Sequence, residues 1–175
     1  MDFEKSYKKI NDNFLKGNYR ETFKDLIKIY KLNNKSDISN KIGVVLLKLN
    51  KKKFARKFFE ISAKEDNNNF KPFFNLANLL KKSEPNLSEK YINLALKIEN
   101  KPEARILKSH LLINRYQYIA AIELLEKLKS AESFYLLGLS HLALGNDTKS
   151  KSYFDESIKF KNNQINFLNL NTFPR

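Results

Sequence analysis

The chain has 175 residues, of which 42% are hydrophobic and 30% charged, so it can bury a sizeable core and is not disordered by composition. It contains no cysteine, which excludes disulfide bonds, thiolate metal sites and a cysteine nucleophile. The formal net charge of +14 leaves an anionic partner open, but only five of the 33 basic residues are the arginines that phosphate recognition favours.

The N-terminal residues carry several charges and no apolar stretch, so we do not expect a cleaved signal peptide. No apolar run in the sequence approaches the roughly 20 residues that a membrane-spanning helix requires. We therefore predict a cytoplasmic protein.

Apolar residues recur at helical spacing along the chain, and no hairpin signal separates alternating segments, so the sequence predicts an all-α fold. A small-residue pattern returns at the spacing of a helix pair, which indicates a repeat array over residues 1–164. The predicted repeats are 3–35, 36–69, 70–101, 102–130 and 131–164. Residues 165–175 are predicted to form a C-terminal cap or to begin a downstream region.

Glycine and proline residues mark the predicted helix ends, helix starts and turns. Gly17 and Gly145 follow the first helix of a pair, where a left-handed residue commonly ends a helix, and Asn50 takes that place in the second copy. Pro72 and Pro102 are predicted to open helices, and Pro85 to lie in a turn.

Small residues inside the first helices form a separate signal. A glycine within a helix costs up to about 1 kcal/mol relative to alanine, so its presence needs a structural reason. We assign Gly43, Ala77 and Gly138 to close contact with a neighbouring helix and not to function.

Three copies follow the pattern of the tetratricopeptide unit, which has a period of about 34 residues. The fifth copy has Leu137 and Gly138 in its first helix, and the second has Ala55 and Phe59 at the expected spacing in its second helix. The chain therefore resembles the tetratricopeptide-repeat family over nearly its whole length.

Two copies depart from this pattern. In the first copy, Ile10, Thr22 and Ile29 stand where the family has small residues. The fourth copy is short between Ala121 and Ser150, which predicts a shortened second helix or following loop.

The resemblance implies a right-handed α-solenoid of about five helix-turn-helix repeats, acting as a non-catalytic scaffold that binds a protein or an extended, possibly acidic peptide. Its first helices would line a concave groove. Asn75 and Asn78 lead the candidates because a side-chain amide can both donate to and accept from a peptide backbone. The predicted groove residues are Tyr7, Asn11, Asn40, Lys41, Val44, Lys71, Phe74, Asn75, Asn78, Lys81, Lys82, Ile106, His110, Tyr135 and Leu139.

A basic cluster lies at the predicted turn between the helices of the second copy. Lysines at a helix N-terminus oppose the helix dipole, so the cluster is either a solvated turn or a contact for an acidic partner. Its members are Lys51, Lys52, Lys53, Arg56 and Lys57.

Catalytic patterns are missing from the sequence: there is no Gly-rich phosphate loop, no GxSxG and no HExxH. The two histidines lack the spacing of a metal site, and we predict that His141 is a core residue with satisfied hydrogen bonds and that His110 contacts the ligand. We therefore predict no catalytic, cofactor or metal site.

Two alternative functions stay open. The array could be the substrate-recognition part of a larger enzyme such as a glycosyltransferase or another transferase, and the reading frame beyond codon 175 tests this hypothesis. Lysine-driven binding of nucleic acid is the other, and it predicts retention on heparin and steep weakening with salt.

Overall fold

The computed structural model describes residues 3–32 and 35–171, with side chains described for residues 4–32 and 35–162. These residues form helices without any strand, which confirms the predicted all-α fold. The helices are α1 (Phe3–Leu15), α2 (Tyr19–Leu32), α3 (Ser36–Lys48), α4 (Lys52–Glu65), α5 (Phe70–Leu80), α6 (Pro85–Ile98), α7 (Pro102–Ile113), α8 (Tyr118–Leu125), α9 (Ala131–Ala143) and α10 (Asp147–Asn171).

The chain divides into two compact units, which the sequence did not predict. The N-terminal unit extends to Glu99 and contains α1–α6, and the C-terminal unit begins at Asn100 and contains α7–α10. Each unit has its own buried apolar cluster, with Phe59 fully buried in the first and Leu137 fully buried in the second. Within each unit, consecutive helices pair through short turns.

A residue with a left-handed backbone ends the first helix of several pairs, as the sequence predicted. Gly17 and Gly145 have φ values of 79° and 75°, and Asn50 has a φ of 57°. Tyr116 occupies the same place between α7 and α8 with a φ of 60°, although tyrosine rarely adopts this conformation.

The turn between α5 and α6 is built differently. Among the residues described, it contains none with positive φ, and Glu84 N–H donates instead to the carbonyl of Leu80 at 2.8 Å. The prediction that Pro85 lies in a turn is wrong, because Pro85 is the first residue of α6. Proline suits that position because the first amide of a helix has no partner within the helix.

Small residues of the first helices pack directly against aromatic rings of the second helices. A Cβ atom on Gly43 would lie 2.6 Å from Cδ1 of Phe59, and one on Gly138 would lie 2.6 Å from Cε1 of Phe154. Both distances are shorter than any side chain tolerates, so close helix contact is the reason for these glycines.

All four of these residues stand eighth in their helices, and the other pairs have a different combination there. Where the first helix has a residue larger than glycine at its eighth position, the second helix has an aliphatic residue instead of phenylalanine at its own eighth position. The eighth residues are Ile10 and Leu26 in the first pair, Ala77 and Ile92 in the third, and Ser109 and Leu125 in the fourth. The size of one residue therefore compensates for that of the other.

The two divergent copies keep a packed core. Ile10, Thr22 and Ile29 are all buried, and the hydroxyl of Thr22 donates to the carbonyl of Asn18 at 2.9 Å. The fourth copy has a second helix, α8, of only eight residues, which confirms the predicted shortening.

The last helix, α10, continues to Asn171, so the predicted repeat boundary at 164 falls inside a helix. The apolar side chains that we expected to cap the array, Ile165, Phe167, Leu168 and Leu170, lie outside the side chains that are described.

Candidate functional site

The predicted groove residues of the N-terminal unit lie on or next to its three first helices. Lys81 follows the last residue of α5, and Lys82 lies in the turn after it. The others are Tyr7 and Asn11 on α1, Asn40, Lys41 and Val44 on α3, and Lys71, Phe74, Asn75 and Asn78 on α5.

A chain of charged contacts joins α1, α3 and α5. The ammonium of Lys41 lies 4.7 Å from the centre of the Tyr7 ring, a cation–π contact worth about 0.5–1 kcal/mol at an exposed site. Lys41 and Lys71 both pair with the carboxylate of Asp37, at 3.3 Å and 2.8 Å. One carboxylate therefore holds the cations of two successive repeats.

Asp37 was not among the predicted site residues. A signal was present, because Asp37 lies four residues before Lys41 and 34 before Lys71, which is one helical turn and one repeat period. The sequence supplied the spacing but not which of the nearby lysines would turn toward it.

The same contacts shift two ionisation equilibria. Burial alone would raise the pKa of Asp37, but the hydrogen bond from Lys71 and the charges of Lys41 and Lys71 outweigh it, so this pKa lies below its usual range. Burial raises the pKa of Tyr7, and the charge of Asp37 adds to that effect. At neutral pH the carboxylate is ionised and the phenol is protonated.

The two asparagines with the deepest positions on this face pair with each other. The amide of Asn75 donates to the side-chain oxygen of Asn40 at 2.8 Å, and Asn40 is only 5% exposed. Asn75 keeps its own side-chain oxygen and its second N–H for a ligand. Part of the lead candidate's hydrogen-bonding capacity thus joins repeat two to repeat three.

An apolar pocket of about 200 Å³ opens between α1, α2 and α3. The predicted groove residues Asn11, Lys41 and Val44 line it, together with the buried side chains of Ile10 and Leu26. We name the surface formed by this pocket and by Tyr7, Asp37, Lys71 and Asn75 the first-helix surface of the N-terminal unit.

Phe74, another predicted groove residue, lies on α5. Its ring stacks on that of Phe70 with 5.5 Å between centroids, and the side chain is half-buried. Asn78 is exposed and lies one turn beyond the asparagine pair.

The basic cluster surrounds the start of α4. Lys51 precedes the helix without a side-chain cap, and Lys52 and Lys53 begin it. Arg56 is held by two carboxylates, those of Glu60 at 2.8 Å and Glu84 at 2.6 Å.

Only three of the five residues of the basic cluster line a common pocket. Lys52, Lys53 and Arg56 line a pocket that Asn78, Lys81 and Lys82 also line. Lys51 and Lys57 are exposed and do not line it.

In the C-terminal unit, the predicted contact residues are more apolar. Ile106 on α7 and Leu139 on α9 are half-buried and pack against the core of that unit. Tyr135 is 50% exposed, with its ring 5.8 Å from that of Phe154. His110 contacts Glu132 at 3.0 Å.

His141 is a core residue, as predicted, but the prediction that its hydrogen bonds are satisfied is wrong. It is 7% exposed, its ring stacks on Tyr153 at 5.4 Å, and its Nδ1 atom has no hydrogen-bond partner among the described residues. Burial lowers its pKa, the charge of Lys149 lowers it further, and Glu126 opposes both. The imidazole is therefore neutral at pH 7.

Within the described residues, no three histidine or acidic side chains are grouped to hold a metal ion. None of the described helices is both long and apolar enough to cross a membrane.

No protein-family model matches this sequence, and neither does any curated protein. Solved structures do match it. MamA from Desulfovibrio magneticus RS-1 aligns with a TM-score of 0.77 at 14% identity, over 92% of this chain and 96% of that one. YrrB, described as a TPR protein with an unusual peptide-binding site, aligns with a TM-score of 0.69 at 20% identity, over 94% and 89%.

A tetratricopeptide repeat protein from Parabacteroides merdae aligns with a TM-score of 0.76 at 18% identity, over 90% of this chain and 66% of that one. These likenesses agree with the repeated helix pairs and with the small residues at their contacts. The chain has the tetratricopeptide-repeat fold.

Proposed function

We propose that the protein is a non-catalytic scaffold that binds an extended segment of a partner protein on the first-helix surface of its N-terminal unit. The observation that carries this proposal is the apolar pocket beside a row of polar groups. A pocket of about 200 Å³ is of the size of one large aliphatic or aromatic side chain. Buried anchors of this kind supply most of the energy in many protein interfaces.

The polar groups around the pocket suit a peptide backbone. Asn11 and Lys41 lie at the pocket itself, and Asn75 retains one acceptor and one donor after pairing with Asn40. Asp37 holds Lys41 and Lys71 in place, which reduces the side-chain entropy that a ligand must overcome. The partner segment would place one apolar side chain in the pocket and its amides against these groups.

The likeness to YrrB supports the class of ligand, since that protein is described as having a peptide-binding site. Repeat arrays of this kind commonly act by holding a partner along an extended surface.

The test begins with selection of peptides from a displayed library on the purified full-length chain, followed by fluorescence anisotropy with a selected peptide. Val44→Phe fills the pocket, and we expect it to weaken binding at least about tenfold, the loss of one buried anchor. Leu94→Phe adds the same ring at an exposed site on α6 and serves as the matched control. Equal affinity of Val44→Phe and wild type would contradict the proposal.

A second pair of variants tests the amides. Asn75→Ala should weaken the same peptide, whereas Asn68→Ala, on the exposed turn before α5, should not. If both variants bind as wild type does, Asn75 is not part of the site.

A further inference from the structure

The structure joins two parts of the sequence into one basic pocket of the N-terminal unit. The pocket has a volume of about 600 Å³ and lies where the end of α3, the start of α4 and the end of α5 meet. Lys52, Lys53 and Arg56 line it from α4, and Lys81 and Lys82 line it from the residues after α5. The sequence had assigned these cations to two different sites.

The five cations differ in how their charge is compensated. The guanidinium of Arg56 pairs with Glu60 and Glu84, and these carboxylates raise its pKa. In the described part of the chain, no carboxylate lies within ion-pair distance of Lys52, Lys53, Lys81 or Lys82.

Four ammonium groups around one pocket repel each other, and a bound anion would relieve that repulsion. The position of Lys52 and Lys53 adds to the effect, since the first turn of α4 contains no acidic residue to balance the positive end of the helix dipole.

The uncharged residues that line the basic pocket indicate which class of anionic ligand it would bind. Leu47 and Leu79 give the pocket an apolar part, and Asn78 adds a neutral amide. Lysines are flexible point charges and do not impose the bidentate geometry by which arginine recognises phosphate. The combination fits carboxylate side chains alternating with apolar ones, and the volume is within the range of about 300–1,000 Å³ typical of ligand pockets.

We propose that this pocket binds an acidic segment of a partner protein through Lys52, Lys53, Lys81 and Lys82. This rests on the proposed function in that the ligand is a protein segment. It uses different side chains from the apolar pocket near Val44, so the two sites can succeed or fail independently. Lys81 and Lys82 lie in the turn after Leu80, the last residue of α5. This turn contains no left-handed residue among those described, and both of its lysines line the pocket.

The probe is a short fluorescein-labelled peptide of glutamate and leucine, measured by fluorescence anisotropy on the full-length chain. Replacing Lys52, Lys53, Lys81 and Lys82 by glutamine should weaken binding at least about tenfold, from four lost ion pairs. The matched control replaces four other exposed lysines of the same unit, Lys16, Lys48, Lys64 and Lys90, and removes the same charge. We expect that control to weaken binding less than about threefold, through long-range attraction alone.

The inference would be overturned by no binding of the peptide to the wild type, by equal weakening in both quadruple variants, or by tighter binding of a single-stranded oligonucleotide through the same four lysines. Circular dichroism of both variants separates lost binding from lost folding. Val44→Phe distinguishes this site from the proposed one. If it abolishes binding of the acidic peptide, the peptide occupies the first-helix surface, whereas unchanged binding supports the basic pocket.

Discussion

The helix pairs α3–α4 and α9–α10 pack through the same glycine–phenylalanine contact, but the hydrogen bonding of their buried polar groups differs. Gly43 lies against Phe59 in one pair, and Gly138 lies against Phe154 in the other. The steric solution is therefore shared between the two units of the chain.

The polar groups show the contrast. In α3–α4, Ser36 donates to the carbonyl of Ser62 at 2.9 Å, and Ser62 donates to that of Ser36 at 2.7 Å. In α9–α10, Ser157 donates to the carbonyl of Ala131 at 2.7 Å, but the buried Nδ1 of His141 has no partner in the described part of the chain. The second pair therefore buries an imidazole whose Nδ1 has no partner among the described residues, whereas the two serines of the first pair bond to each other.

Removing the aromatic rings should have the largest effect. Phe59 is fully buried, so Phe59→Ala should cost about 3–5 kcal/mol of unfolding free energy. Phe154 is only half-buried, and Phe154→Ala should cost less. Urea denaturation followed by circular dichroism measures both, and hydrogen exchange assigns each loss to its unit. A loss at Phe154 equal to that at Phe59 would show that burial does not distinguish the two pairs.

Adding one methyl group at the contact should have the next largest effect. Gly43→Ala should destabilise the protein because overpacking costs about 1–3 kcal/mol, which exceeds the gain of about 1 kcal/mol in helix propensity. Phe59→Ile in the same chain should restore part of this loss, since it reproduces the combination of Ala77 and Ile92 in the third pair. Strictly additive effects in this double-mutant cycle would refute size compensation.

Acid should destabilise α9–α10 before it affects α3–α4. The pKa of His141 is lower in the folded chain than the ordinary histidine value of about 6.5, so the unfolded chain binds the proton more readily. Stability is full above that value and falls as the pH drops through it. Asp37 has a lowered pKa too, but its contribution to stability is lost only below the ordinary aspartate value of about 3.9.

Hydrogen exchange of α9 and α10 between pH 7.5 and 5 measures this acid effect. His141→Phe should remove it because phenylalanine keeps the stacking on Tyr153 and cannot be protonated. An unchanged acid response in His141→Phe would assign the effect to other groups.

The smallest effect is expected at the asparagine pair of the N-terminal unit. Asn75→Ala removes one hydrogen bond and leaves the oxygen of the mostly buried Asn40 without it, which should cost about 0.5–1.5 kcal/mol. Asn78→Ala, at an exposed asparagine, should change stability little. Equal stability of both variants and the wild type would show that the pair is not structural.

Much of the fold could be predicted because its signals are local. Gly17, Asn50 and Gly145 end helices through their own backbone conformation, and Gly43 and Gly138 are explicable only by close contact. Pro85 was misplaced because proline suits both a turn and the first residue of a helix, and the sequence does not distinguish these positions.

The candidate sites depended on contacts between distant residues. Asp37 lies one repeat period from Lys71, but only packing decides that both Lys41 and Lys71 turn toward it. The basic pocket requires that the start of α4 and the turn after α5 meet. Whether Nδ1 of His141 meets a hydrogen-bond partner among the described residues likewise depends on how the helices pack, which no local pattern records.

By itself, the sequence determined that the chain forms repeated helix pairs, because periodicity, turn residues and the size of a contact residue are properties of short segments. Only the tertiary structure decided the division near Glu99, the apolar pocket beside Val44 and the gathering of four lysines around one pocket. The physical reason is that side-chain pairing and cavity shape depend on how neighbouring helices pack, and residues far apart in sequence set that packing.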